Sequence, residues 1–364
     1  MKCRFRRLRR GFYATFLAFI GTHNAYAYVP ETGHAPLTQL AVQGYQQCFD
    51  NQTLATPNVL NRLLQGNMAM DHGTGSFSDE DEAIPGAITL FHLITRITNW
   101  HFYRPQEQRP QEQRLSKQKN VEMSHKRLWK MAVDGFAKAT TPHDKWLFLG
   151  ALLHLNEDLS VPAHVVPVYH GPTTLVDRLG EFESITRYPQ DSNITSGFWL
   201  TEKITDQIDQ MRVDKTRLSG AIKQQLPAYC QALTTQPLAT PNSIKNNLAK
   251  QTLAFIDQPI PHCKGVKWSR FWDDVPEQSS PPLPSQRYFK LYNSEKGFAL
   301  FGLAGVVSDK NGKAGCTLKD NDKRYLDFVF QLHLAAVKAD VALLYWAGEG
   351  LGQKISTRRH GATE

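Results

Sequence analysis

The stretch GALLHLNEDLSVPAHVVPVYHG, residues 150–171, gathers three histidines and two acids in one short span. His154 and Asp158 stand four residues apart, which on a helix places both side chains on one face. Thr141 and Pro142 supply an N-cap and a first-turn proline for such a helix, and Val161-Pro162 ends it. His164 follows beyond the turn, and His170 after it. Imidazoles and carboxylates converging on a helix end are what zinc takes as ligands, in spheres of about four N and O atoms. Taken alone, an HxxxD pair is equally the pattern of a buried histidine capped by its i+4 carboxylate.

Other polar groups accompany it in a definite order. Glu31-Thr32-Gly33-His34 lies near the start, Ser78-Asp79-Glu80-Asp81-Glu82 follows, and Asn99-Trp100-His101-Phe102-Tyr103 comes next. In this order, with HxxxD and Pro162-Ala163-His164 after them, these motifs resemble the zinc-dependent phospholipases C of bacteria. That family shares its fold with the zinc-dependent single-strand nucleases of fungi and plants. The resemblance covers about Tyr28 to Glu183, and the last helix continues it more loosely.

The resemblance implies an all-α fold, a single helical domain with a trinuclear-zinc-type cleft and a long irregular segment before the last helix. It implies two to three zinc ions. Tyr28, as first residue after processing, would hold one ion through its backbone amine and carbonyl, where the family usually has Trp. His34 would share that ion, and Asp158 would bridge it to a second. His154, His101 and an acid of the cluster would complete the pair. Spacing from Phe77 favours Asp79 as that acid and the Glu-Asp context favours Asp81; either could also orient the attacking water. His164 matches the first ligand of a third ion. The family then expects a His and a Glu four residues apart, and Asp177 and Glu181 stand at that spacing, with His170 and Glu183 as the alternative pair.

The activity implied is hydrolysis of the glycerol-side phosphodiester of phospholipids such as phosphatidylcholine, giving diacylglycerol and a phosphorylated head group. Zinc lowers the pKa of a coordinated water toward about 7, so no side-chain nucleophile is required. The sequence contains no GxSxG elbow, Walker loop or HExxH. The alternative on the same fold is a single-strand nuclease or 3'-nucleotidase; from a different class, a non-catalytic lipid-binding helical protein with a decayed site would explain the same fold.

The elements that must position these residues read mostly as helix. Apolar residues recur at helical spacing over 37–49, 57–64, 83–101, 121–138, 142–159 and 247–256. The last helix, carrying Tyr325 to Leu343, is the clearest, with an N-cap at Asn321 or Asp322 and glycines at 348 and 350 after its end. His333 and Asp340 within it read as structural. Strand signals are scarce. The run RPQEQRPQEQR at 104–114 reads as a solvated loop, and about 260–320 as an irregular excursion pinned by its cysteines. Trp268, Phe271 and Trp272 there would serve either as exposed lipid contacts or in ordinary packing.

The chain has 364 residues and a formal net charge of +8, but six of its 42 basic residues fall within the first ten positions. They precede the apolar stretch 12–21 and the small-residue site Ala25-Tyr26-Ala27, the order of an export signal over 1–27, with Arg9-Arg10 resembling a twin-arginine signal. The remaining 337 residues carry 36 Lys and Arg against 34 Asp and Glu, which disfavours nucleic acid as partner. The apolar stretch is shorter than the roughly 20 residues a membrane-spanning helix needs, and no other reaches that length. Export to the periplasm or medium, a monomer, a phospholipid at a membrane or micelle surface as substrate, a domain over 28–350 and a tail over 351–364 are the expectations. Without Cys3, the four cysteines Cys48, Cys230, Cys263 and Cys316 imply two disulfides, with three possible pairings. The C-terminal membrane-binding β-sandwich that some members of that family carry is expected to be absent, so lipid engagement would fall to the helical domain.

Overall fold

The computed structural model describes residues 33–49, 56–72, 103, 105, 119–165, 213–272, 304–309, 311–319 and 322–350. They form a mostly all-α fold. Its elements are α1 (His34–Phe49), α2 (Pro57–His72), α3 (Lys119–Lys138), α4 (Pro142–Asp158), α5 (Pro162–Val165), α6 (Lys215–Thr235), α7 (Pro241–Ile256), a 3-10 turn (Trp268–Trp272), strands β1 (Gly305–Ser308) and β2 (Ala314–Leu318), and α8 (Lys323–Gly350). The expected signal 1–27, the expected helix 83–101 and the tail lie outside the described residues. Of the pentapeptide run only Pro105 is described, and it is buried.

Helix α4 is the axis of the core. Thr141 caps it by accepting the Asp144 N–H at 3.1 Å, Pro142 opens it, and every residue from Leu149 to Asp158 is buried. It packs against α1, α2, α3 and α8. Its contact with α2 is backbone to backbone. A Cβ on Gly150 would stand 2.0 Å from the Leu63 carbonyl oxygen, and one on Gly66 would stand 1.9 Å from that of Leu147. Only hydrogen fits at either position, so the two helices cross through a glycine from each.

The C-terminus of α4 is tied down by its own turn. Leu159, Ser160 and Val161 donate to the carbonyls of Asn156, Glu157 and Asp158, and Thr252 on α7 donates to Leu159 O at 2.7 Å. His164 N–H continues the chain of bonds to Val161 O, and Tyr103 N–H donates to His164 O at 2.8 Å. Tyr103 also hydrogen-bonds Asn246 through its hydroxyl.

Four elements differ from the sequence expectation. Helix α2 runs to His72 rather than 64, and α7 begins at Pro241 under a Thr240 cap rather than at 247. Helix α6 was not expected, because Pro227 interrupts its pattern; Leu218, Ile222, Leu226 and Cys230 nevertheless form a buried stripe at helical spacing. The irregular excursion contains an antiparallel hairpin, Gly305 paired with Leu318 and Val307 with Cys316. Its turn is fixed by Asp309, whose Oδ1 accepts the N–H of Asn311 and Lys313, and by Gly312 at φ 74°.

Disulfides join Cys48 to Cys230, linking α1 to α6, and Cys263 to Cys316, linking the turn after α7 to β2. They close sequence separations of 182 and 53 residues. In the chain-entropy picture these contribute about 5 and about 4 kcal/mol by restricting the unfolded chain. Trp268 and Phe271 are buried against Tyr325 and Phe328 of α8, so their role is packing. Contrary to the expectation that no segment beyond the first 21 residues is long enough, α8 is long and apolar enough to cross a membrane. However, 72% of its most apolar window is buried inside the protein, as in a core helix.

Two predictions follow from this packing. In an open helix Gly→Ala stabilises by about 1 kcal/mol, and Gly220 on α6, with nothing near its missing Cβ, should show that gain. Gly150→Ala should have the opposite sign, a loss of about 1–3 kcal/mol from overpacking, in urea unfolding of the two variants side by side. Burial pushes His333 on α8 down to about 3. The unfolded chain therefore binds a proton that the folded chain does not, and stability is lost as pH falls below about 6.5 toward 3. His333→Leu should remove about 2 kcal/mol of the stability difference between pH 7 and pH 5, measured against the parent.

Candidate metal centre

Three helices meet at a fully buried polar cluster. His34 is the first residue of α1 and Thr38 lies one turn on, so both face the same neighbour. His154, Glu157 and Asp158 occupy the last turn and a half of α4. Asn67 on α2 is delivered by the crossing at Gly66 and Gly150, where a Cβ on Gly150 would stand 3.0 Å from the Asn67 backbone nitrogen. All of these side chains are 0–1% exposed.

His34 Nε2 lies 3.5 Å from Asp158 Oδ1, and His154 Nε2 lies 3.4 Å from Asp158 Oδ2. The two imidazoles stack with centroids 3.9 Å apart. One donor atom from each of His34, His154 and Asp158 falls within 4.8 Å of the others, so the group could hold a metal ion. These nitrogen–oxygen separations lie at the long end of hydrogen bonding, whose usual range is about 2.7–3.2 Å. Ligand atoms at about 2.0–2.1 Å around a tetrahedral ion stand roughly 3.4 Å apart, so the residues fit such an ion.

The opposite ring nitrogens face a second set of groups. His34 Nδ1 is 2.6 Å from Glu157 Oε2, and Thr38 donates to Glu157 Oε1 at 2.6 Å. Asn67 Nδ2 donates to Glu157 Oε2 and to Thr38 Oγ1, both at 3.0 Å, and its Oδ1 is 3.4 Å from His154 Nδ1. Behind Glu157, Asn156 donates to Asp340 Oδ1 of α8 at 2.9 Å.

Burial and the neighbouring His154 imidazole depress the basicity of His34, but hydrogen bonds to Asp158 and Glu157 outweigh them and hold its pKa above the ordinary value. A proton and a metal ion compete for that same nitrogen. Asp340 is raised well above the usual carboxylate range, by burial first and then by the charge of Glu157, with the Asn156 bond opposing.

No family model, curated protein or solved structure matches this chain. Its site therefore rests on its own geometry. Of the expected ligands, His34, His154 and Asp158 come together. His164 is buried on α5, at 2% exposure, and is not a member of that group. Tyr28, Asp79, Asp81, His101, His170, Asp177, Glu181 and Glu183 lie outside the described residues. Glu157, Thr38, Asn67 and Asn156 were not anticipated, and Asp340 was read as structural only. The available signal was Glu157 itself, an acid between Asn156 and Asp158 at the end of a helix with apolar residues on every side of 149–153 and no Lys or Arg beside it.

A divalent ion that binds only the folded chain stabilises it by about 2.7 kcal/mol at a hundredfold excess over its Kd. The melting temperature of the parent should therefore rise with added ion, and Asp158→Asn should abolish the rise while leaving a folded protein. An equal rise in the variant would place the ion elsewhere.

Proposed function

We propose that this chain is an exported zinc-dependent phosphodiester hydrolase acting as a phospholipase C. The observation that carries this reading is the buried His34, His154 and Asp158 group, in which the two carboxylate oxygens face different imidazoles. A carboxylate so placed would hold zinc together with both imidazoles, in keeping with the motif order of the sequence. The two disulfides are compatible with an oxidising compartment, and the basic, then apolar, then small-residue start of the chain supports export.

Zinc bound there would act as a Lewis acid on a phosphodiester oxygen and supply hydroxide near neutral pH. The chain's part is to hold and orient. His34 and His154 offer Nε2, Asp158 offers both oxygens, and the burial of all three keeps bulk water from competing. His101, Asp79 or Asp81, and His164 complete the proposed ligand set. The near balance of charge in residues 28–364 supports a lipid phosphodiester over a nucleic acid.

The zinc-loaded protein should release phosphorylcholine from phosphatidylcholine, lose that activity to chelator, and leave single-stranded DNA intact in a parallel reaction. Asp158→Asn should lower the rate by at least the roughly 10–100-fold that loss of a mere outer-shell partner costs. DNA breakdown without lipid hydrolysis would move the assignment to a nuclease, and inactivity on both would reject hydrolysis.

A further inference from the structure

We propose that Glu157 is the positioning residue that fixes which ring nitrogen both His34 and His154 turn toward Asp158. The inference rests on the metal-site reading above and deepens it. A carboxylate can only accept hydrogen bonds, so every group that meets Glu157 must donate. Thr38 Oγ1 at 2.6 Å, His34 Nδ1 at 2.6 Å and Asn67 Nδ2 at 3.0 Å do, and the Asp340 carboxyl hydrogen-bonds Glu157 as well.

The consequence for His34 is direct. In its neutral form the ring keeps the proton on Nδ1, which leaves Nε2, 3.5 Å from Asp158 Oδ1, as the nitrogen offered to a metal ion. For His154 the effect passes through Asn67. With its NH2 end committed to Glu157 and Thr38, the Asn67 amide can present only Oδ1 to His154 Nδ1. That contact, at 3.4 Å, calls for a proton on His154 Nδ1 and leaves Nε2 as the donor atom facing Asp158 Oδ2. One acid thus sets the polarity of two imidazoles carried by two different helices. Asn156 and Asp340 close the far side of the same network.

Glutamine at 157 keeps the shape but has one oxygen where the carboxylate has two. Thr38 bonds one oxygen while His34 and Asn67 share the other, so a carboxamide leaves one of these faces without an acceptor, and the charge that strengthens the His34 bond is gone. In Glu157→Gln, zinc affinity measured by competition with a chromophoric chelator should fall about 10–100-fold. Thr38→Val, which removes one donor to Glu157 and one acceptor of Asn67 but leaves the His34–Glu157 bond, should lower it less than Glu157→Gln does.

Long-range nitrogen–proton NMR of the parent supplies a readout independent of activity and of any variant's folding. Both histidines should carry the proton on Nδ1, and the His34 Nδ1 proton should lie far downfield and move upfield in Glu157→Gln. Unchanged zinc affinity in a folded Glu157→Gln, or loss of the Nδ1 proton rather than the Nε2 proton when either ring becomes neutral or takes up zinc, overturns the proposal. A parent that takes up no zinc, yet shows both Nδ1 protons in place, defeats the metal reading while leaving the positioning intact.

Discussion

The crossing of α2 and α4 through Gly66 and Gly150 is the constraint on which the rest depends. Backbone contact at 1.9–2.0 Å from a would-be Cβ means that these helices meet as closely as helices can. That approach brings the Asn67 backbone over Gly150, and with it the amide that joins Glu157, Thr38 and His154. A methyl group at either glycine would move the amide away by more than the tolerance of a hydrogen bond. The cost would then appear in the polar cluster as well as in the apolar core, because a buried donor without its acceptor loses about 1–3 kcal/mol.

A helix that ends in Asn-Glu-Asp at zero exposure is otherwise a poor choice for a core. Charged groups out of water cost several kcal/mol each unless they are paired and hydrogen-bonded. Here three devices answer that cost. Glu157 accepts from Thr38, His34 and Asn67; Asp340 is held toward its neutral form; and the carbonyls at the end of α4 are satisfied by the turn through Val161. The disulfide between Cys48 and Cys230 then fastens the far end of α1, the helix whose first residue is His34, to α6.

The parts of this arrangement that were legible in the sequence are those with a short repeat distance. His154 and Asp158 share a face at four residues, and the last helix announces itself through seven apolar residues at helical spacing. Glu157 escaped because it sits beside Asp158, about 100° around the helix, and a reading of one face passes over the next. Asn67 is uncharged, and its 87-residue separation from His154 is bridged only by the glycine crossing, which no local pattern encodes. Helix α6 was hidden by Pro227, and the hairpin by strands of four and five residues, too short for alternation to stand out. The four cysteines gave the number of disulfides but allowed three pairings, since pairing depends on which helices become neighbours.

Charge gives the last step. With Asp340 held toward neutrality, the described cluster sets the carboxylates of Glu157 and Asp158 against two imidazoles in a space closed to water. Protonating His34, which these carboxylates favour, still leaves the group with one uncompensated negative charge. A divalent cation shared by the two Nε2 atoms and Asp158 leaves both rings neutral and cancels the two carboxylates. In a low-dielectric interior, where each uncompensated charge costs several kcal/mol, that difference favours the cation over the proton. The feature that makes the site expensive to bury without an ion is the one by which it could hold an ion. Loss of the ion should therefore be felt in α1, whose N-terminal turn has Glu157 and Asp158 as partners of His34, before it is felt in the apolar contacts of α4.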